Sequence, residues 1–218
     1  MKNQSNQIET VLNLFMAHDG RLEVLLIHKE EEPYKGYWML PTSSVLTSQT
    51  LEENATLLLK NFLSSDQVPL HQNHTFSALD RYPDERVIGV SLVGIVDTIT
   101  WQLNEALSDQ EAKWFEVANL PKLAYDHSEI IEKSLEMLQM GVKTQALLTQ
   151  FYPADFTLPE LQHFLEMLFD CEIDRRNFRK RLLNEELIEE TGDKEKGQMG
   201  RPAKLYRFKE NKMLQEIG

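Results

Sequence analysis

The residues best suited to chemistry crowd into one short run behind Asp174: Arg175, Arg176, Asn177, Arg179 and Lys180. On a helix capped by Asp174, Phe178 and Leu182 mark an inward face, with Leu183 at its edge. Arg176, Asn177, Lys180, Arg181 and Asn184 then fall on the opposite side. A guanidinium pairs with guanine O6 and N7, and a carboxamide with adenine N6 and N7. Arg176 and Asn177 are therefore candidates for reading bases in a major groove. Arg175 and Arg179 lie nearer the apolar face, suited to gripping phosphates or to pairing with acids. A second set of cations, Lys194, Lys196, Arg201 and Lys204, sits in and beside the glycine-rich stretch 192–202, within reach of a backbone or a minor groove. The bland alternative is a solvated basic helix, and the adjacent basic loop weighs against it.

The chain as a whole argues the other way, with a formal net charge of −12 over 218 residues. That average hides a division. Residues 174–209 hold eleven Lys or Arg against seven Asp or Glu, so this segment carries +4 and the remainder −16. An acidic part joined to an anion-binding part is what such asymmetry implies. With 41% hydrophobic and 27% charged residues the chain can bury a core, as one large domain or two modest ones. The first seven residues are too polar for a secretory signal, and the longest apolar run, 90–96, is too short to span a bilayer. A lone Cys171 excludes an internal disulfide and a cysteine-rich zinc site. His18, His28, His71, His74 and His163 show no metal-ligand spacing. These features predict a cytoplasmic protein with no membrane contact.

The elements that must position the basic run emerge from periodicity and turn chemistry. Strands are expected over 8–16 and 22–28, joined by a hairpin turn at Asp19-Gly20, and again over 74–79, 87–96 and 113–117. Thr50-Leu51-Glu52-Glu53 has capping-box spacing and opens a helix. Asp126 caps a second helix over 127–140, stopped by Gly141. Strands mixed with two helices, without regular alternation, predict an α+β domain. The stretch 142–153 is too apolar for a free linker, so the C-terminal segment is expected to dock closely. Leu158, Leu161, Phe164, Leu165 and Leu168 share one helical face. The basic helix comes next, and two strands, 187–191 and 204–208, then flank the basic loop. Helices followed by a β-ribbon in about 60 residues predict a winged helix-turn-helix.

The first part resembles a Nudix domain, through Gly36-Tyr37-Trp38-Met39-Leu40-Pro41, the helix after it, and Trp114-Phe115-Glu116-Val117 with Leu120-Pro121 in the same order. That family places a Gly, a Glu six positions on, then Arg-Glu-apolar-X-Glu-Glu on a helix, and its glutamates hold divalent metals on a pyrophosphate. Here the glycine positions fall on Ser43 and Ser64, the first Glu on Gln49, and the Arg on Leu57. The helix glutamates fall on Leu58, Asn61 and Phe62. No metal-binding carboxylate remains. Leu51, Ala55, Leu58, Leu59 and Phe62 instead form an apolar stripe. Glu52 and Glu53 sit in the first turn, where acids suit the helix dipole and Glu53 the capping box. The scaffold is therefore expected to bind no metal or cofactor and to catalyse nothing.

The second part resembles the DNA-binding half of the Nudix-related transcriptional regulators. Its recognition run 174–183, the preceding Phe156-Thr157-Leu158-Pro159-Glu160-Leu161-Gln162, and Gly200-Arg201-Pro202-Ala203-Lys204-Leu205-Tyr206-Arg207-Phe208 all match. Arg81, Pro83 and Arg86 also match a segment of these regulators, which makes the two arginines candidate effector ligands through a phosphate. The alternative is pairing with neighbouring acids on a hairpin. The resemblance implies residues 1–145 as a degenerate Nudix-like effector and dimerisation domain and 146–218 as a winged-helix DNA-binding domain. It further implies a homodimer on double-stranded DNA, with a small metabolite, ADP-ribose or a sugar, as effector. Two rivals remain: a divergent Nudix pyrophosphatase on nucleoside-diphosphate compounds, and a constitutive repressor whose Nudix half only dimerises.

Overall fold

The computed structural model describes residues 6–63, 68–96, 112–143, 147–152, 154–194 and 203–209. Strands β1 (Gln7–His18) and β2 (Arg21–His28) pair antiparallel through Asp19-Gly20, whose φ values are 49° and 74°. Two left-handed residues in succession give the tight turn that matches strand twist. Five more strands complete a seven-stranded mixed sheet: β3 (Trp38–Met39), β4 (Thr42–Ser44), β5 (Leu70–Phe76), β6 (Val87–Ile95) and β7 (Ala112–Glu116). The path is β3-β2-β1-β6-β5, with β4 on β1 and β7 on β2, and β1 runs parallel to β6.

Helices cover both faces of this sheet. Leu12, Leu14, Leu25 and Leu92 pack with Ala55, Leu58 and Leu59 of helix α1 (Leu51–Phe62). Val11, Phe15, Val24, Leu26, Val93 and Ile95 point the other way and join Ile130, Ile131 and Leu138 of α2 (His127–Lys143). A strand buried on both sides needs apolar residues at every position, which is why β1 alternates so weakly in sequence. The capping box at Thr50 and Glu53 forms as expected, with the Thr50 hydroxyl accepting from Glu53 N at 3.1 Å.

A short helix, α3 (Leu148–Phe151), leads to β8 (Phe156–Thr157), α4 (Leu158–Phe169), α5 (Arg175–Asn184), β9 (Ile188–Lys194) and β10 (Lys204–Phe208). The strands make a small antiparallel sheet in the order β8-β10-β9. Thr157 and Glu160 form a second capping box, and Asp174 accepts from Asn177 N at 2.8 Å as the cap of α5. The fold is α+β throughout: a Nudix-like mixed sheet with flanking helices, followed by a winged helix.

The two sheets share one core. Leu161, Phe164 and Leu165 of α4 belong to the same apolar cluster as Ala17, Leu22 and Val24. The β1–β2 turn rests on α4, and a Cβ on Gly20 would stand 3.2 Å from Glu160 O and 3.1 Å from a His163 ring carbon. Gln139 Nε2 donates to Leu168 O at 2.6 Å, and Leu147, Leu148, Phe151 and Tyr152 are buried between. This is the close docking expected from the apolar stretch 142–153. Two expectations need correction. Helix α2 runs past Gly141 to Lys143, because Gly141 serves close packing: a Cβ there would lie 2.1 Å from Leu147 Cδ1. Strand β5 covers 70–76 and not 74–79, since its pairing with β6 begins at Leu70 opposite Gly94.

Candidate nucleic-acid interface and tyrosine cluster

Helix α5 is held by its two buried residues, Phe178 and Leu182. Arg175, Arg176, Asn177, Arg179 and Lys180 are all exposed. The four cations have no acidic partner among the described residues. Arg181, by contrast, is tied to Glu185 at 3.0 Å. Arg175 and Arg179 turn toward α4 and β10 and line a cavity there, whereas Arg176, Asn177 and Lys180 do not. Lys204 at the start of β10 lines the same cavity and pairs with Glu190 at 2.7 Å. Arg201 and Lys196 lie outside the described residues. The structure thus separates the basic run into an outward group and a group gathered around one void.

The Nudix-like half carries a different arrangement at the positions of the missing carboxylates. Asn54, in the first turns of α1, accepts from the Thr10 hydroxyl and donates to Ser44 O (3.1 Å), Gln49 Oε1 (3.2 Å) and Ser43 Oγ (3.3 Å). Neutral groups therefore close the loop where a hydrolase of this fold gathers charge. Leu58 is buried, Phe62 lies half-buried at the rim, and Leu57 and Asn61 are exposed. No group of three or more His, Cys, Asp or Glu among the described residues has metal-binding geometry. Ser64 lies outside them.

Arg81 requires the sharpest correction. Its side chain is 1% exposed, bonded through Nε and Nη2 (3.1 Å) to both oxygens of Asp126, and 3.3 Å from Glu9. It is an internal cation between β1 and the start of α2, not an open phosphate clamp, and its partners are remote in sequence where hairpin neighbours were the alternative. Asp126, at the head of α2, thus gives both carboxylate oxygens to Arg81. A Cβ at Gly89 would stand 2.6 Å from Arg81 Nη1, so the glycine makes room for the guanidinium. Arg86 is half-buried and donates to Ala78 O at 2.8 Å.

Around this pair lies a cluster that sequence reasoning missed. Tyr82 stacks on Tyr125 with centroids 4.1 Å apart, and Tyr34 meets Tyr125 edge-on at 4.9 Å and Tyr37 at 5.7 Å. Lys29 stands 5.6 Å over the Tyr125 ring. Tyr34 and Tyr125 hold φ of 72° and 54°, a conformation costly for residues with a Cβ. The Tyr82 hydroxyl donates to Glu9 Oε2 at 3.0 Å. Burial pushes the Glu9 carboxyl above its ordinary range despite Arg81 and Tyr82, and burial with the Glu9 charge raises the Tyr82 phenol. The four tyrosines lie in three separate loops, and nothing in their spacing announces that they meet.

His127 sits beneath the cluster, fully buried, with Nδ1 accepting from Leu40 N at 2.8 Å and Nε2 unpartnered among the described residues. Burial lowers its pKa from 6.5 to about 4, a shift that Arg81 reinforces and Asp126 opposes. The folded state therefore binds fewer protons than the unfolded one between those values, so stability is complete above pH 6.5 and falls as pH drops toward 4. At roughly 1.4 kcal/mol per unit the loss reaches about 3 kcal/mol. His127→Asn keeps an acceptor for Leu40 N and removes the titration. Urea midpoints should fall less steeply from pH 7 to pH 4 in this variant than in wild type, and parallel slopes would contradict the assignment.

A Nudix-like sandwich joined to a winged helix with an exposed cationic helix defines a class of nucleic-acid-binding regulators, and the comparisons agree. Residues 148–208 match the family model described as the NrtR DNA-binding winged helix domain. The ADPR responsive transcriptional repressor NtrR of Acinetobacter baylyi is 28% identical over 203 residues, spanning 89% of this chain and 79% of that protein. Shewanella oneidensis NrtR, solved in complex with a 27mer DNA, superposes with a TM-score of 0.74 at 28% identity over 93% of each chain. An ADP-ribose pyrophosphatase of Methanocaldococcus jannaschii is 35% identical over 123 residues, 54% of this chain and 70% of that enzyme. Residues 148–208 are thus a winged helix of the NrtR type, and the chain as a whole is similar to regulators that join a Nudix-like domain to a winged helix.

Proposed function

We propose that this protein is a cytoplasmic, homodimeric transcriptional regulator that grips duplex DNA through α5 and the wing and senses ADP-ribose or a related metabolite in its Nudix-like half. The observation that carries the reading is the set of four exposed cations on α5, two outward and two around the cavity, none with an acidic partner among the described residues. Residues 1–145 form the sensing and dimerising domain and 146–218 the DNA-binding domain. Arg176 and Asn177 read base edges, while Lys180, Arg175, Arg179, Arg201 and Lys204 contact the backbone. A two-fold dimer implies a palindromic site with half-site centres about one helical turn, or a multiple, apart. On the sensing side, the strained tyrosine cluster with Lys29 offers ring faces and a cation of the kind a nucleotide-like ligand engages, and Arg86, outside that cluster, is assigned to the ligand's phosphates. The Acinetobacter baylyi relative, named for its response to ADPR, and the Shewanella oneidensis structure, solved with DNA, support the two halves of the reading.

The test begins with duplexes that wild type enriches from a random pool. Arg176→Ala should weaken binding to the enriched duplex by about 1–3 kcal/mol and relax preference at one base per half-site. Equal losses on enriched and random DNA would reduce α5 to a nonspecific anchor.

The pyrophosphatase reading draws on the 35% identity to the Methanocaldococcus jannaschii enzyme. Against it stand Gln49, Leu58, Asn61 and Phe62 at the metal-ligand positions, and the neutral hydrogen-bond network around Asn54. Hydrolysis, if present, would have to be metal-dependent and abolished by substituting Glu52 or Glu53.

A further inference from the structure

The cavity between α4, α5 and β10 has a volume of about 140 Å³, far above the roughly 10–15 Å³ that one water requires. Leu158, Phe178 and Tyr206 make an apolar floor, each at most 9% exposed. Arg175, Arg179 and Lys204 stand around it, and no acid is among the described residues lining it. Three exposed cations from two elements around one void make a positively charged recess that suits an anion. Arg175 and Arg179 have no acidic partner among the described residues, and Lys204 is neutralised from outside the cavity by Glu190, at 2.7 Å.

Resting on the DNA-binding reading, we propose that this cavity seats one phosphodiester of the duplex backbone, and that Glu190 competes with that phosphate for Lys204. The apolar floor takes the face of the sugar and the three cations take the phosphate oxygens. A bidentate guanidinium suits a phosphate as well as it suits a base edge, so position decides the role of each arginine. Arg175 and Arg179, turned into the cavity, are backbone ligands that carry no sequence information. Glu190 then tunes affinity for DNA of any sequence. Both members of its pair are about half exposed, 49% for Lys204 and 41% for Glu190, so the exchange for a phosphate costs little.

Anisotropy titrations of the full chain on the enriched and random duplexes, at several salt concentrations, test this. Glu190→Gln should bind both duplexes more tightly, by up to about fivefold, since exposed pairs contribute little. That gain should vanish in a Lys204→Ala background and be smaller for Glu189→Gln, whose strand position faces Arg207. Arg175→Ala and Arg179→Ala should each flatten the slope of log K against log salt by about one and leave base preference unchanged. The seat is overturned if the Glu190→Gln gain survives loss of Lys204, or if the arginine variants relax a base preference at unchanged salt slope. Wild type that binds no duplex would overturn the DNA reading and the seat with it.

Discussion

Arg81→Met should cost the fold about 3–5 kcal/mol, the scale for removing one partner of a buried ion pair. The guanidinium is 1% exposed and bridges Asp126 at the head of α2 to Glu9 on β1. Its loss leaves two carboxylates facing each other with little water. The chain's response to pH should change accordingly. Glu9 already titrates above its ordinary range because it is buried, and Arg81 restrains that shift. Without Arg81 its folded pKa rises further above the unfolded value, so the penalty grows with rising pH and shrinks as pH falls. Urea midpoints at pH 5 and pH 7 should show the variant closest to wild type at pH 5, and Asp126→Asn in the variant background should recover part of the loss. A variant as stable as wild type at pH 7 would mean that water screens the cluster.

Leu58→Glu should destabilise by several kcal/mol and create no hydrolase. The position matches a metal-binding glutamate of the Nudix helix, but here the side chain is 5% exposed and packs with Leu12, Leu14 and Leu25. A carboxylate at that place loses its hydration without gaining a partner, and the effective penalty in proteins is several kcal/mol. Phe62→Glu should cost less, because Phe62 is only half-buried. With Mg²⁺ or Mn²⁺, neither wild type nor either variant should release AMP from ADP-ribose. Metal-dependent turnover by wild type, lost on substitution of Glu52 or Glu53, would return the pyrophosphatase reading to first place.

Local chemistry made much of this fold legible in the sequence. The turn at Asp19-Gly20, the capping box at Thr50 and the cap at Asp174 each depend on a few adjacent residues, and each formed as those residues dictate. The winged helix was readable because α4 and α5 each bury one clean stripe. Strand β1 was harder to delimit, since burial on both faces erases alternation. Gly141 misled because a glycine needed for close approach to Leu147 looks the same in sequence as a helix stop.

The site divides along the same line. The cations of α5 are neighbours in sequence, so their shared face is fixed by helical geometry alone. The pairing of Arg81 with Asp126 and Glu9 spans 45 and 72 positions, and the tyrosine cluster joins loops as far apart as Tyr34 and Tyr125. Such contacts are set by the register of β1 on β6 and by where α2 begins, neither of which a local pattern encodes. The backbone strain at Tyr34 and Tyr125 has no sequence signature at all.

The central claim is that a metabolite bound in the Nudix-like half controls the grip of the winged helix, and it requires the ligand to favour one of two states differing in DNA affinity. Titrating ADP-ribose into the complex of the full chain with an enriched duplex, monitored by anisotropy, measures this directly. Dose-dependent release of the duplex is the predicted result. Binding unchanged at saturating ADP-ribose, while the duplex remains selectively held over random DNA, would contradict the sensing role and leave a regulator that ADP-ribose does not govern.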